Sequence, residues 1–574
     1  MRLPNCFRLM TCGARQLPRP GPADLSYGAR MTSPNFLLIM TDEERYPPPY
    51  ELEALAGFRR DQLPSRERIR GGGVELHRHY AGSTACVPSR ATLFTGQYPS
   101  LHGVSQTDGA AKHANDPSMS WLDPDEVPTL GDWFRAGGYR THYRGKWHVG
   151  HADLLVAGTR EPLRASDDDG RPIPAAVDAY RRADRLDPFG FSGWIGREPH
   201  GAAKSDSGTV RDGVFAEQVI ELFDDLSGSA ADGPWLAVAS FVNPHDIAFA
   251  GGLYELLLGA PGPGDTVPDI PEAPSQSDSF EGRPGCQERF LHTWPKVIAE
   301  VAPDVAYRRL YHHLHVLVDA AIGRILDALD ASGMAEDTIV VFTSDHGDLL
   351  GAHGGLQQKW CNAFDEAVHV PLMVSGPGIV ALPEGLSAPT SHVDLVPTLM
   401  GLAGIDVERA TSTLRRTHTE VHPLPGRDLS DVLIGAADPA TVSEPIYFMT
   451  EDQVSSGLSQ ANVLTGEPFE AVGPPSCIES VVTPLPTGAG GAAELWKLNQ
   501  YYERLDEWDA AHGIPADPFA APAAAPELEM HNLTLDPEER RNLVRDEPET
   551  LSQLRSILDD QREQKRLLPA LRNT

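Results

Sequence analysis

The amino-acid sequence predicts an α/β fold with a smaller α+β domain towards its carboxyl-terminal end. The prediction depends on four short runs of strand length and on helical segments that lie between them. Three of the runs are apolar on both faces, which is typical of central strands in a sheet that is covered on both sides. The four predicted strands, of which the second is the weakest, span 36–40, 139–143, 235–241 and 338–342.

Amphipathic spacing predicts the helices. Apolar residues recur at helical intervals in 214–226, 307–329 and 391–403. Because these helices alternate with the strands, we expect an α/β domain over 33–435. Loops rich in polar residues, Pro or Gly are predicted at 157–188, 251–285 and 406–427.

The remaining sequence differs in character. Short strands predicted at 445–449, 478–482 and 494–499 indicate the smaller α+β domain, over 436–574. Residues 1–32 are rich in Arg and Pro and lack the apolar core of a secretory signal. We therefore expect a disordered extension there, with Met31 as an alternative start to Met1.

Composition narrows the classes of function. The 574 residues include 81 acidic and 48 basic residues, a formal charge of −33 that repels a phosphate backbone, so nucleic-acid binding is excluded. No apolar run approaches the roughly 18 residues of a membrane-spanning helix, so we expect no membrane association. Six scattered cysteines without a CxxC pair fit a reducing compartment and predict a cytoplasmic protein.

Each predicted strand ends in polar residues that are able to carry chemistry. In open α/β sheets such groups gather beyond the carboxyl ends of the strands. We therefore expect four motifs to meet at one edge of the sheet: Asp42-Glu43, Gly145-Lys146-Trp147-His148, Asn243-Pro244-His245 and Ser344-Asp345-His346-Gly347. Taken singly, each motif has an ordinary alternative, such as a helix cap, a turn or a solvated side chain.

The most specific segment is Cys86-Val87-Pro88-Ser89-Arg90, which continues to Gly96. It resembles the signature of the type I sulfatases of the alkaline phosphatase superfamily, in which a Cys-x-Pro-x-Arg core is oxidised at the cysteine to formylglycine. The four strand-end motifs follow the order found in that family, and Lys359 lies beyond His353-Gly354 as expected. Two of only seven lysines thus fall at family positions, and residues 529–543 are similar to the family's closing segment. A buried structural cysteine at a helix start is the alternative for Cys86.

The resemblance implies a large mixed sheet flanked by helices, as in alkaline phosphatase, and hydrolysis of a small-molecule sulfate ester. A formylglycine-generating enzyme would be a transient partner. A divalent cation, usually calcium in this family, would be held by two aspartates and the hydrated aldehyde. One hydroxyl of the hydrated aldehyde would attack sulfur near Arg90. The cation ligands would be Asp42, Asp345 and the modified Cys86. Lys146 and Lys359 would bind sulfate oxygens. His245 would assist the leaving alcohol, and His148 would take the last proton.

Two departures from the family pattern concern the cation. The pair Asp345-His346 looks more like the choline sulfatase and phosphonate monoester hydrolase branch, and a nitrogen ligand from His346 would let manganese compete with calcium. His346 is expected as a ligand, with orientation of Asp345 as the alternative. Glu43 stands where many relatives have Asp, and it is expected to contact either the metal or the ligands around it.

Two other functions stay open from the sequence. A phosphonate monoester or phosphodiester hydrolase would use the same pocket, because phosphorus in such esters is also tetrahedral. A non-catalytic sulfatase-like protein with an unmodified Cys86 is the alternative outside the enzymes, although it would have no use for the acid and base residues.

Overall fold

The protein's structure is a computed structural model that describes residues 33–199, 203–228, 232–250, 262–264, 266–486, 491–503 and 525–569. The predicted extension at 1–32 lies outside these residues. Within them the chain forms three sheets whose strands, in chain order, are β1 (Asn35–Asp42), β2 (Gly73–Leu76), β3 (His79–Tyr80), β4 (Arg140–Gly145), β5 (Trp235–Pro244), β6 (Thr338–Ser344), β7 (His369–Val370), β8 (Leu372–Ser375), β9 (Leu382–Leu386), β10 (Thr390–Ser391), β11 (Ile446–Thr450), β12 (Cys477–Pro486), β13 (Ala493–Tyr502) and β14 (Glu527–Asn532).

The α-helices are α1 (Pro49–Leu52), α2 (Ala56–Gln62), α3 (Pro64–Gly71), α4 (Cys86–Thr95), α5 (Pro99–His102), α6 (Leu130–Ala136), α7 (Pro174–Ala183), α8 (Gly208–Gly228), α9 (Gly285–Val297), α10 (Val305–Ala331), α11 (Ala352–Gly355), α12 (Asp365–Val368), α13 (Leu395–Leu402), α14 (Val407–Leu414), α15 (Ser430–Leu433) and α16 (Pro548–Lys565). Short 3-10 helices include His245–Phe249, directly after β5, and His392–Asp394, before α13. No helix in the described part of the chain is both long enough and apolar enough to span a membrane.

The large sheet has seven strands in the order β4-β5-β1-β6-β8-β2-β9. The four predicted strands are its first four members, and all run parallel, with Leu37 opposite Ala237 on one side and Val340 on the other. β8 runs antiparallel to β6, which makes the sheet mixed. The predicted α/β class and the mixed sheet are confirmed, but the sequence patterns missed β2, β8 and β9, which are only four or five residues long.

Both faces of the sheet are covered, as the doubly apolar strands require. From β1, Leu37 and Ile39 pack with α8 and α10 on one face, whereas Phe36, Leu38 and Met40 pack with α4, α6 and α13 on the other. All five side chains are at most 1% exposed. Full burial of a side chain of this kind contributes about 1.5–3 kcal/mol, so the central strand fixes the position of its own carboxyl end.

The C-terminal part contains a separate four-stranded antiparallel sheet, in the order β11-β12-β13-β14. Helix α16 packs on this sheet through Leu554 and Leu558, which contact a cluster that includes Tyr447 and Leu498. The predicted α+β character of this part is therefore confirmed. The domain boundary at 435/436 stays a prediction.

Two of the predicted loops contain helices instead. Helix α7 begins at Pro174, whose fixed φ suits a first helical position, and it buries Ala176 and Tyr180. Helix α14 lies within 406–427 and is capped by Asp406, whose side chain accepts from the Arg409 N–H. Both predictions of loop were wrong because each of these short helices buries only two residues, four positions apart, so neither repeats an apolar face over several turns. Positions 251–261 and 265 of the third loop lie outside the described residues.

Candidate active site

Four strand ends meet at one place, because β4, β5, β1 and β6 are adjacent and parallel. Asp42 is the last residue of β1, Asp345 directly follows β6, and His245 directly follows β5. Cys86 is the first residue of α4, and every residue of that helix is buried. The sheet edge and one helix start therefore bring together residues that are up to 303 positions apart in the chain.

Asp42, Cys86, Asp345 and His346 form a buried cluster whose potential ligand atoms all lie within 4.8 Å of one another. His346 Nε2 is 3.0 Å from Cys86 Sγ, 3.6 Å from Asp345 Oδ1 and 3.8 Å from Asp42 Oδ1. His346 Nδ1 donates to the Gly347 carbonyl at 3.0 Å, so the lone pair of the neutral ring is on Nε2, inside the cluster. Two carboxylates and one imidazole lone pair are a donor set that fits a divalent cation.

The Arg90 guanidinium joins the two aspartates of this cluster. Its Nε donates to Asp345 Oδ2 at 2.8 Å, and Nη2 donates to Asp42 Oδ2 at 3.0 Å. Its Nη1 donates to the Lys146 carbonyl and to Ser240 Oγ, at 2.9 and 3.0 Å. Arg90 is fully buried, so its planar fork fixes the relative orientation of the two carboxylates.

Lys146 and Lys359 bring two further buried cations to the cluster. Lys146 Nζ contacts Asp42 Oδ2 at 2.5 Å, and Lys359 Nζ donates to Glu43 Oε2 at 2.9 Å. Lys146 follows Gly145, where φ is +103° and an added Cβ would lie 1.8 Å from the Ser240 carbonyl oxygen. Only glycine permits this close approach of β4 to β5, which places Lys146 beside Asp42.

The two carboxylates of the cluster have opposite pKa shifts. Burial raises the pKa of Asp42, but the nearby cations, above all Lys146, outweigh burial and hold that pKa well below its ordinary value. Burial and the Asp42 charge together raise the pKa of Asp345 to about 6. Burial and Lys359 hold the pKa of His346 well below its ordinary value, which agrees with its neutral ring. Asp42 is therefore ionised at neutral pH.

Two histidines, His148 and His245, follow the ends of β4 and β5. His148 Nε2 is 2.9 Å from Asp108 Oδ1, and the His148 backbone N–H donates to Glu198 Oε1 at 3.1 Å. His245 is half-buried, and its ring lies with Asp42 and Glu43 in a second group of mutually close ligand atoms. Burial and the charge of Lys146 hold the pKa of His245 well below its ordinary value. The candidate site thus combines a cluster of potential metal ligands with two lysines and two further histidines.

Comparison with known proteins identifies the family. A sequence model described as Sulfatase matches residues 34–405, which is more than half of the chain. The chain belongs to the sulfatase family. The sulfatase is 27% identical over 392 residues to the uncharacterized sulfatase YidJ of Escherichia coli (strain K12), an alignment that covers 66% of this chain and 69% of that protein. It is 29% identical over 389 residues to choline-sulfatase from Rhizobium meliloti (strain 1021), with 65% and 68% covered.

Solved structures agree on the fold of the sulfatase. A putative sulfatase from Bacteroides thetaiotaomicron superposes with a TM-score of 0.58 at 19% identity and covers 93% of both chains. The phosphonate monoester hydrolase SpPMH from Silicibacter pomeroyi superposes with a TM-score of 0.56 at 20% identity, covering 93% of this chain and 96% of that one. The predicted family and fold class are confirmed, and the protein is a sulfuric ester hydrolase.

Sequence reasoning missed several residues of the sulfatase site. Ser240, a hydrogen-bond acceptor for Arg90, is a polar residue inside an apolar strand, and this exception was the available signal. Asp348 lies just beyond the Asp-His-Gly motif, and its charge adds to burial in raising the pKa of Glu43. Asp108 and Glu198 lie in irregular segments whose sequence carries no periodicity. Only the folded chain brings these two carboxylates to His148.

Proposed function

We propose that this sulfatase cleaves small-molecule sulfate monoesters with a formylglycine made from Cys86 by a formylglycine-generating enzyme, beside a divalent cation. The observation that carries the proposal is the position of Cys86 Sγ, 3.0 Å from His346 Nε2 and 3.7 Å from Asp42 Oδ1. The hydrated aldehyde would supply the attacking hydroxyl and one oxygen ligand at this point. Asp42, Asp345 and His346 would hold the cation, which supplies positive charge to the developing anion.

The cationic side chains would bind the substrate. Lys146 and Lys359 are buried next to Asp42 and Glu43, respectively, and their ammonium groups would neutralise the nonbridging sulfate oxygens. Arg90 would fix the two aspartates, because its guanidinium already donates to both. A sulfate monoester is a stable anion, so its hydrolysis requires positive charge around the nonbridging oxygens.

The two histidines would handle the protons. Its low pKa leaves the His245 ring neutral, so its N–H would donate a hydrogen bond to the departing alcohol oxygen, which takes up the proton that the attacking hydroxyl at position 86 releases. His148 would take the proton from the remaining hydroxyl at position 86, which expels sulfate by C–O cleavage and restores the aldehyde. No water needs to attack sulfur.

We propose calcium as the cation and manganese as the alternative. Carboxylate oxygens select hard cations, whereas the lone pair of His346 Nε2 adds the borderline donor that favours manganese. Glu43 accepts from Lys359, so we propose that it orients this lysine rather than binding the cation itself.

A second candidate function is phosphonate monoester hydrolysis. The Asp345-His346 pair and the similarity to the phosphonate monoester hydrolase SpPMH favour it. The test compares kcat/KM of the modified enzyme for 4-nitrophenyl sulfate and 4-nitrophenyl phenylphosphonate, with Cys86→Ala as the control. We expect faster turnover of the sulfate and no turnover of either ester by the control. Much faster turnover of the phosphonate would overturn the sulfate assignment.

A further inference from the structure

Asp108 and His148 form a buried acid–imidazole pair, and His148 lies two positions after the buried Lys146. His148 Nε2 lies 2.9 Å from Asp108 Oδ1. Their side chains are 5% and 6% exposed, respectively. Two such groups removed from water interact strongly, because little solvent screens them.

The pairing determines which nitrogen of His148 is basic. A carboxylate offers only lone pairs, so the proton between the two groups is on Nε2, and Nε2–H donates to Asp108. The lone pair of the neutral ring is then on Nδ1. When Nδ1 takes a proton, the resulting imidazolium faces the negative charge of Asp108 at hydrogen-bond distance.

The fold holds both members of the pair in place. The segment that carries Asp108 is attached to the C-terminal part of the chain, because the Thr107 N–H donates to Asp452 Oδ1 at 3.0 Å. His148 has a left-handed backbone, with φ of +53°, and its N–H donates to Glu198. A left-handed conformation raises the energy of a non-glycine residue and persists only where the surrounding structure holds it, so the contacts around His148 fix the orientation of its ring.

We propose that Asp108 is a positioning residue that sets the tautomer of His148 and stabilises its imidazolium in the last step of turnover. This inference rests on the proposed function. In that step, His148 Nδ1 removes the proton of the hydroxyl at position 86, and the electron pair of the O–H bond forms the C=O bond. The C–O bond to sulfate breaks, and its electron pair leaves with sulfate.

The first test is spectroscopic and does not need formylglycine. In the Cys86→Ala protein, the Nε2–H proton of His148 should give a low-field resonance that couples to the imidazole nitrogen. We expect Asp108→Asn and His148→Gln to abolish the same resonance. Asp132→Asn, at the His418–Asp132 contact of 3.5 Å, is the matched control and should leave it unchanged. Persistence of the resonance in Asp108→Asn overturns the pairing.

The second test separates the two halves of turnover. With modified Asp108→Asn enzyme and 4-nitrophenyl sulfate, we expect a burst of one nitrophenolate per active site, followed by a kcat that is about 10²–10⁴-fold below wild type. Intact mass should show enzyme that has gained one sulfuryl group. Loss of the burst together with kcat, or an unchanged kcat, would overturn the role of Asp108. The mass of the Cys86 peptide reports separately whether the proposed function itself fails.

Discussion

Replacement of Arg90 should show how strongly the two aspartates depend on a single guanidinium. Arg90→Met keeps most of the side-chain volume but removes the positive charge between two fully buried carboxylates. Removing one partner of a buried ion pair costs about 3–5 kcal/mol, and we expect a loss of this size in the free energy of unfolding. Arg90→Lys should lose less, because its ammonium keeps the charge but cannot supply the four donors of the fork.

Urea unfolding in EDTA, followed by tryptophan fluorescence, measures this loss as the shift in midpoint multiplied by the m-value. Arg66→Met is the matched control, because Arg66 is also buried between two carboxylates, Glu44 and Asp319. It should lose comparable stability yet keep turnover per folded molecule, whereas Arg90→Met should lose both. Lowering the pH should recover part of the Arg90→Met loss, since protons then neutralise the carboxylates. A loss below about 1 kcal/mol for Arg90→Met would refute the reasoning.

Three further predictions concern the cation site and the sheet that supports it. Because the pKa of Asp345 is raised to about 6, protons should compete with the cation for this carboxylate below that pH. The cation affinity, measured by calorimetry, should therefore fall by about tenfold for each pH unit below 6. Constant affinity across this range would contradict a role for Asp345 as ligand. Glu43→Gln should lower cation affinity by about tenfold and Asp42→Asn by more than about 100-fold, and equal losses would count against the indirect role of Glu43. Gly145→Ala should destabilise the protein by about 3 kcal/mol or more, measured by urea unfolding. Gly103→Ala should cost only about 1 kcal/mol, because a Cβ added at Gly103 meets open space. Similar costs for the two variants would show that the contact with β5 is unimportant.

The sequence was sufficient for the central strands and for the motifs at their ends. Strands β1, β5 and β6 are apolar on both faces, which is the pattern expected of a parallel strand that is buried on both sides. Parallel strands bring their carboxyl ends to one edge, so the meeting of Asp42, Asp345 and His245 followed from the topology. The resemblance to the sulfatase signature added Cys86, which lies at a helix start rather than a strand end.

The sequence was insufficient wherever a contact depends on an irregular segment. Asp108 reaches His148 because the adjacent Thr107 is hydrogen-bonded to Asp452, 345 positions further along the chain. No periodicity encodes such a contact. Likewise, the sharing of Arg90 between two aspartates needs the register of β1 against β6, where Thr41 is opposite Ser344. Single-residue patterns do not determine that register.

The chemical state of residue 86 tests the account most directly. The measurement is the mass of the tryptic peptide that contains Cys86, taken from catalytically active protein whose calcium and manganese contents are determined in the same sample. We expect a mass roughly 18 Da below that of the cysteine peptide, together with one divalent cation per chain. Active enzyme that carries only a thiol at this position would contradict the account.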